Sequence, residues 1–286
     1  MPAPTDRWFQ GAGIRVHGLD WGGPPDGPVI LLLHGVGGNA WVWADVADRL
    51  RIALPGHRVI AIDQRDGGDT DHPARGYERE TFASDVAAVH DALGGGPIVL
   101  VGHSRGGWLA SWIAASEPER IDRLVLVDPA RLGFGSPADE DRFFAWVEGG
   151  LGPFTDEAAA LAWAKAKDAE AVWSPTRERS FLFGFVRSQD GRLVGKLPRE
   201  ALAGLRAARQ DGPGAAAALE RIHVPTLLLI ATRQTSERQS DKRRYGELIA
   251  GARVQDVDGT HFLHTDAPDV VAEAIAAFVS GPDEPT

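Results

Sequence analysis

Four short runs of apolar residues constrain the fold of this 286-residue chain more than any other feature of its sequence. They lie at 28–35, 57–65, 97–104 and 122–130. Each run is continuous rather than alternating and rich in Val, Ile and Leu, which is typical of strands covered on both faces of a parallel sheet. Helix-like segments separate the runs, at 40–50, 79–93 and 105–116. This alternation predicts right-handed β-α-β crossovers and a doubly wound, mostly parallel α/β sheet.

The same pattern resumes near the C-terminus after a long interruption. A further apolar run at 224–231 is followed by a predicted helix near 241–250, a short strand at 252–257 and an amphipathic helix at 268–279. At the start of the chain, residues 7–23 alternate in polarity and turn at Gly11 and Gly13. That stretch predicts an antiparallel hairpin at the edge of the sheet.

The interruption, residues 131–221, contains Ala-rich helical segments and a turn at 188–192, but no run that resembles another core strand. We interpret it as a helical cap inserted into a core formed by 1–130 and 222–286, and expect it to cover the carboxyl ends of the strands, where α/β folds bind ligands. Ten of the 22 aromatic residues of the chain fall in this segment: Phe134, Phe143, Phe144, Trp146, Phe154, Trp163, Trp173, Phe181, Phe183 and Phe185.

Composition excludes several classes of function. A net charge of −10 and a pI near 5.4 argue against nucleic acid or an anionic membrane as partner. The chain has no cysteine, so disulfides, thiolate catalysis and Cys-ligated metals are not expected. No apolar run is suited to export or to spanning a membrane. We therefore expect a cytoplasmic enzyme, monomeric or homodimeric, that acts on a small apolar molecule without metal or cofactor.

A glycine-flanked serine is the clearest chemical signal. Gly102, Ser104 and Gly106 form a G-x-S-x-G pattern directly after a predicted strand and directly before a predicted helix. That context is typical of a strained turn that exposes a nucleophilic hydroxyl, with glycines that let helix and strand approach closely. The backbone N–H of Arg105, at the helix start, is predicted to face negative charge that develops on a substrate oxygen.

Four other stretches accompany GHSRGG in a fixed order: LLLHGVGGNAW, DQRDGGDT, VPTLLLIA and DGTHFLHTDAPDVV. With these five motifs the chain resembles the α/β-hydrolase superfamily over nearly its whole length. The resemblance implies the α/β-hydrolase fold. In the DQRDGGDT stretch, Asp66 replaces the glycine that is usual in the family.

The resemblance also implies roles for individual residues. Val36, which follows His-Gly in the first stretch, would supply the second backbone donor of an oxyanion hole beside Arg105. His261 matches the G-x-H pattern of the family's general base, which a serine needs because an alcohol is protonated at neutral pH. His264 is the competing histidine and is expected nearer the final helix, as a pocket or capping residue.

The acid that orients the base is not at its usual place. In the family it follows the VPTLLLIA strand, but Gln234 occupies that position here. Asp128 ends the preceding strand of the expected sheet order, beside the nucleophile strand, and a minority of superfamily members resemble this arrangement. Some haloalkane dehalogenases and the fungal zearalenone lactonases are among them. We predict Asp128 as the acid, with Glu237 on a folded-back loop as the alternative.

A serine nucleophile with a histidine base predicts acyl transfer to water, and thus a carboxylic ester or lactone as substrate. It excludes the aspartate-nucleophile chemistry of the family's dehalogenases and epoxide hydrolases. The alternatives are a carbon–carbon bond hydrolase of a diketone-type substrate, and a non-hydrolytic lyase, cyclase or ligand receptor on the same fold. The predicted substrate contacts are aromatic: Trp41, Trp108, Trp146 and Trp173.

Overall fold

The fold is described from a computed structural model, in which residues 3–133, 136–207 and 212–281 are described. The strands are β1 (Thr5–Gln10), β2 (Arg15–Asp20), β3 (Val29–Leu33), β4 (Arg58–Ile62), β5 (Ile98–His103), β6 (Ile121–Val127), β7 (Phe185–Arg187), β8 (Leu193–Gly195), β9 (Thr226–Ala231) and β10 (Arg253–Val257). The helices are α1 (Ala44–Ala53), α2 (Arg79–Ala92), α3 (Arg105–Ser116), α4 (Pro137–Gly150), α5 (Glu157–Lys167), α6 (Pro175–Phe183), α7 (Arg199–Ala207), α8 (Gly212–Leu219), α9 (Ser236–Leu248), α10 (Leu263–Asp266) and α11 (Pro268–Ser280).

Eight strands form one sheet in the order β1-β2-β4-β3-β5-β6-β9-β10. The β1–β2 and β2–β4 pairs are antiparallel, and the other pairs are parallel. This arrangement confirms the predicted doubly wound α/β sheet and its N-terminal edge hairpin. Strand β6 lies between β5 and β9, so the residues that follow these three strands meet at one edge of the sheet.

The continuous apolar runs form strands that are buried on both faces. Successive residues of β3 illustrate this, because Leu31 and Leu33 belong to one core cluster whereas Ile30 and Leu32 belong to the other. Helices α2, α3 and α9 pack on the first cluster, and α1 and α11 pack on the second. Side chains on both faces of the sheet are thus buried against helices. This explains why the sequence shows no alternation of apolar and polar residues.

The segment between β6 and β9 holds helices α4 to α8 and a separate two-stranded sheet of β7 and β8. This antiparallel hairpin surrounds the predicted turn at 188–192. Its two strands were not expected, because the sequence predicted helical segments and that turn but no strand here. Its strands are only three residues long, which is too short for a clear alternation. Phe144 of α4 and Leu205 of α7 join the same core cluster as α2 and α3. Phe134, one of the aromatics noted in this segment, lies outside the described residues.

Helix α9 begins five residues earlier than predicted. The side chain of Thr235 accepts a hydrogen bond from the backbone N–H of Arg238 and so caps the helix. Glu237 consequently lies in the first helical turn, where a carboxylate interacts favourably with the helix dipole.

In the part of the chain that the structure describes, no helix combines the length and apolar character needed to cross a membrane.

Candidate active site

Ser104 occupies the turn between β5 and α3 with backbone angles of φ 52° and ψ −120°. This left-handed conformation is unfavourable for a residue with a side chain. The flanking glycines make the turn possible: a Cβ on Gly102 would lie 2.3 Å from the carbonyl oxygen of Gly106, and one on Gly106 would lie 2.5 Å from that of His34. The predicted strained turn is therefore present, and neither position 102 nor position 106 has room for a side chain.

The structure brings Ser104, His261 and Asp128 together in one hydrogen-bonded row. His261 Nε2 lies 2.9 Å from Ser104 Oγ, and His261 Nδ1 lies 2.5 Å from Asp128 Oδ2. A carboxylate can only accept, so Nδ1 carries the proton of the neutral imidazole. Nε2 is then the acceptor for the hydroxyl of Ser104, which is the tautomer that a general base requires.

Asp128 is held in place by hydrogen bonds other than the one to His261. It is fully buried after β6, with a positive φ of 42°. Its Oδ1 accepts hydrogen bonds from the backbone N–H of Ala231 at 3.0 Å and from Gln234 Nε2 at 3.1 Å, while its own N–H donates to Leu229 at 2.8 Å. The glutamine at the family's usual acid position therefore supports the carboxylate that follows the neighbouring strand.

The alternative acid is not brought to the histidine. Glu237 has an exposed side chain, with 73% of its surface accessible, and forms an ion pair of 3.0 Å with Arg131. Because α9 starts early, Glu237 lies in its first helical turn, where the side chain pairs with Arg131. The sequence signal was present in the Thr-Ser-Glu stretch, since Thr and Glu are common at a helix start.

A buried lysine joins the row and was missed from the sequence. Lys242 of α9 is only 3% exposed, forms an ion pair with Asp128 Oδ2 and places Nζ 3.2 Å from His261 Nδ1. The available signal was periodicity: Lys242 precedes the buried Tyr245 by three residues and the buried Ile249 by seven, which places it on the inner face of the helix.

Burial and charge set the pKa values of this cluster. Burial raises the pKa of Asp128, but the hydrogen bond with His261 and the charge of Lys242 together outweigh it and hold the pKa of this carboxyl below its usual value. Burial and the Lys242 cation lower the pKa of His261 against the opposing effect of Asp128. Near neutral pH the imidazole is therefore uncharged and able to take up a proton.

The loop after β3 passes directly over the serine. A Cβ on Gly35 would lie 3.2 Å from the Cβ of Ser104, so the loop that carries Val36 is adjacent to this serine. Arg105 is the first residue of α3, where backbone N–H groups have no partner within the helix. Both residues predicted to supply oxyanion donors thus belong to segments that border Ser104.

Asp66 connects these two segments. Its fully buried carboxylate pairs with Arg105 Nη2 at 2.5 Å through one oxygen and accepts the N–H of Gly37 at 3.0 Å through the other. The guanidinium of Arg105 also lies 4.2 Å from the ring centre of Phe82. The departure from the usual glycine is therefore accompanied by a cation at the residue after Ser104, and the pair connects that residue to the loop after β3.

The competing histidine packs behind the row instead of joining it. His264 is fully buried, with ring centres 4.2 Å from His103 and 4.8 Å from Trp43. Among the described residues neither of its ring nitrogens has a hydrogen-bond partner. Burial and the charge of Arg177 lower its pKa well below the ordinary value.

The four tryptophans predicted as substrate contacts lie in different environments. Trp108 lies on α3 and is buried in the first core cluster, and Trp146 on α4 is 39% exposed. Trp41 lies 3.6 Å below the guanidinium of Arg179, and Trp173 lies 4.5 Å from that of Arg177. Their role in substrate binding stays a prediction.

The segment 131–221 contacts the candidate site through α6. The guanidinium of Arg177 lies over Phe262, which follows His261, at 4.1 Å from the ring centre, and pairs with Asp168 and Asp266. In the loop after β3, Asn39 Nδ2 donates a hydrogen bond of 2.8 Å to the carbonyl oxygen of Ser180. One helix of residues 131–221 therefore touches both loops that flank Ser104.

No group of three or more His, Asp or Glu side chains within residues 3–133, 136–207 and 212–281 is arranged to hold a metal ion.

Comparison with known proteins agrees with this fold. The model of the alpha/beta hydrolase fold family matches residues 28–268. The chain is 30% identical over 280 residues to a non-heme chloroperoxidase of Streptomyces lividans, covering 93% of this chain and 96% of that protein. It is 28% identical over 255 residues to sn-1-specific diacylglycerol lipase ABHD11 of Mus musculus, covering 88% of this chain and 81% of that protein.

Among solved structures, that of an E-2-(acetamidomethylene)succinate hydrolase superposes with a TM-score of 0.81 at 23% identity, covering 97% of this chain and all of that one. At this identity the likeness concerns the fold. The chain belongs to the α/β-hydrolase fold family and is a hydrolase of that superfamily.

Proposed function

We propose that this protein is a serine hydrolase that cleaves a carboxylic ester or lactone of an apolar or aromatic small molecule through an acyl-enzyme. One observation carries the proposal: the row in which Ser104 Oγ, His261 and Asp128 lie within hydrogen-bond distance of one another, at 2.9 and 2.5 Å. This is the order of contacts by which a base activates a serine and an acid orients the base. Similarity to a protein named as a diacylglycerol lipase supports an ester substrate.

The proposed reaction has two halves. In the first, Ser104 Oγ attacks the carbonyl carbon and its proton passes to His261 Nε2, while the N–H groups of Val36 and Arg105 bind the oxygen that becomes negative. The imidazolium, stabilised by Asp128, then gives the proton to the leaving oxygen, and the carbon–oxygen bond breaks. In the second half, His261 deprotonates a water molecule that attacks the acyl-enzyme, and Ser104 recovers its proton as the acid is released.

We further propose that residues 131–221 form a cap on a core of residues 1–130 and 222–286. Contacts of Arg177 with the histidine loop and of Ser180 with the oxyanion loop support this, because they place α6 beside both loops. The aromatic residues of the segment would give the substrate an apolar surface, together with Trp41, and Trp41 and Trp173 each contact a phenylalanine ring of α6.

Labelling with a fluorophosphonate, followed by assays on a panel of aryl esters and lactones, tests the proposal. We expect the wild type to be labelled and Ser104→Ala to be unlabelled and inactive. We expect Asp128→Asn to lower kcat by on the order of 10³- to 10⁴-fold, because the base loses the carboxylate that orients it. Glu237→Gln, which removes an exposed carboxylate outside the row, serves as the matched control and should retain wild-type activity within about twofold.

The panel also separates the alternatives. A 1,3-diketone that is cleaved faster than every ester and lactone would replace the ester assignment with carbon–carbon hydrolysis by the same residues. A wild-type protein that is neither labelled nor active on any compound would refute the serine-hydrolase proposal. Inactivation by Glu237→Gln, with Asp128→Asn active, would refute the assignment of the acid.

A further inference from the structure

Two donors meet at a single oxygen of Asp128. Both His261 Nδ1, at 2.5 Å, and Lys242 Nζ contact Oδ2. The other oxygen, Oδ1, accepts from Ala231 and Gln234. Each carboxylate oxygen therefore has a hydrogen-bond donor even without the lysine, so Lys242 is not needed to satisfy an otherwise unpaired oxygen.

The lysine also faces the imidazole directly, with Nζ 3.2 Å from Nδ1 of His261. Because Nδ1 carries the proton that bonds to Asp128, this approach is between two donors and gains no hydrogen bond. Its effect is electrostatic. A cation at this distance disfavours a second positive charge on the imidazole, and burial weakens the screening by water.

We propose that Lys242 is a positioning residue of the Ser104–His261–Asp128 row whose charge keeps the imidazole of His261 unprotonated, so that the base stays available in mildly acidic solution. The inference rests on the proposed function for its catalytic consequence. It concerns a side chain on α9 that comes from neither the nucleophile turn nor the histidine loop.

Other charged and titratable groups also face Lys242 and His261, and none of them is substituted in the experiment described below. Arg238 shares α9 with Lys242 and acts on both groups, and Arg131 lies near the lysine but is paired with Asp241 and Glu237. On the imidazole side, His103 and His264 have lowered pKa values through burial. They are uncharged near neutral pH, so the Lys242 cation and the Asp128 anion dominate the field at His261.

The decisive measurement is an NMR titration of the His261 ring, which needs no substrate. We expect the midpoint to rise by about one pH unit or more in Lys242→Met, because a cation within ~4 Å is lost while the carboxylate stays. Lys242→Gln, which keeps a hydrogen-bond donor without the charge, should show the same rise. The control Arg243→Met removes an exposed cation next along the helix, which pairs with Asp256, and should leave the midpoint unchanged.

In catalysis, the acid limb of the kcat/KM profile should move to higher pH by the same amount in both Lys242 variants. An unchanged or lower midpoint in a folded Lys242→Gln protein would overturn the proposal, and so would loss of the native fold in both variants, since Lys242 would then be a structural cation. If the wild type hydrolyses nothing, the proposed function fails, but the titration still decides whether Lys242 sets the protonation of His261.

Discussion

Gln234 donates a hydrogen bond of 3.1 Å to Asp128, so the residue at the family's usual acid position contacts the carboxylate that follows the neighbouring strand, β6. The same amide donates to the carbonyl oxygen of Ala231 at 2.8 Å. These bonds fix both the glutamine and the carboxylate. The two positions are therefore neighbours at one edge of the sheet, and a change at one has consequences at the other.

Because the two positions are so close, we expect that a carboxylate at position 234 can take over the proposed role of Asp128. Glutamate has nearly the shape of glutamine, so Gln234→Glu introduces a carboxylate about 3 Å from position 128. We expect the double variant Asp128→Asn/Gln234→Glu to be at least about tenfold more active in kcat/KM than Asp128→Asn alone, because the imidazolium regains a nearby negative charge.

The control for this experiment is Asp128→Asn/Gln239→Glu. Gln239 lies on α9, five residues after Gln234, and donates to the carbonyl oxygens of Thr232 and Gln234 instead of to Asp128. A double variant at 234 that is no more active than the single Asp128→Asn variant would show that the acid cannot act from the usual position.

The pair of Asp66 and Arg105 predicts a large energetic coupling. Asp66→Ala leaves a buried guanidinium without its partner and should lower the free energy of unfolding by about 3–5 kcal/mol. Arg105→Met with Asp66→Ala should cost clearly less than the sum of the single changes. Urea unfolding of the four proteins measures this coupling, and strict additivity would contradict it.

The position of Arg177 over Phe262 predicts that this side chain stabilises the packing of residues 131–221 against the loop that carries His261. Arg177→Ala removes the guanidinium that covers Phe262, but Asp266 keeps the bonds it accepts from Val172 and Thr260. We therefore expect a moderate loss of about 1.5–3 kcal/mol in stability and faster proteolysis within 131–221. Arg142→Ala, which removes an exposed arginine of α4, should change neither, and equal effects of both variants would contradict the link.

The unprotonated state of His264 predicts an acid-sensitive fold. The unfolded chain takes up a proton at this residue as the pH falls below about 6.5, whereas the folded protein does so only at much lower pH. Stability from His264 is therefore fully present above about pH 6.5 and is lost progressively below it.

A phenylalanine of similar shape carries no proton. We expect His264→Phe to lose less stability than the wild type between pH 7.5 and 5, as measured by the free energy of unfolding in urea. A wild type and variant with parallel pH dependences would show that His264 does not contribute to the acid sensitivity.

Much of the fold follows from local patterns in the sequence. Continuous Val, Ile and Leu runs identify strands that are buried on both faces, and the flanking glycines identify the Ser104 turn, because only glycine fits where helix and strand touch. The β7–β8 hairpin and the early start of α9 were missed, since three-residue strands and a single capping threonine give weak local signals.

The sequence by itself determined the order of the strands along the chain, the Ser104 turn and the loop that carries His261. Tertiary structure alone decided which carboxylate contacts the base. The three side chains that meet here, Asp128, Lys242 and His261, are separated from one another by 19 to 133 residues of sequence. They come together because β6 lies beside β9 and because α9 directs one of its faces toward the sheet. Such contacts depend on strand order and helix orientation across the whole sheet, and no local pattern of residues encodes them.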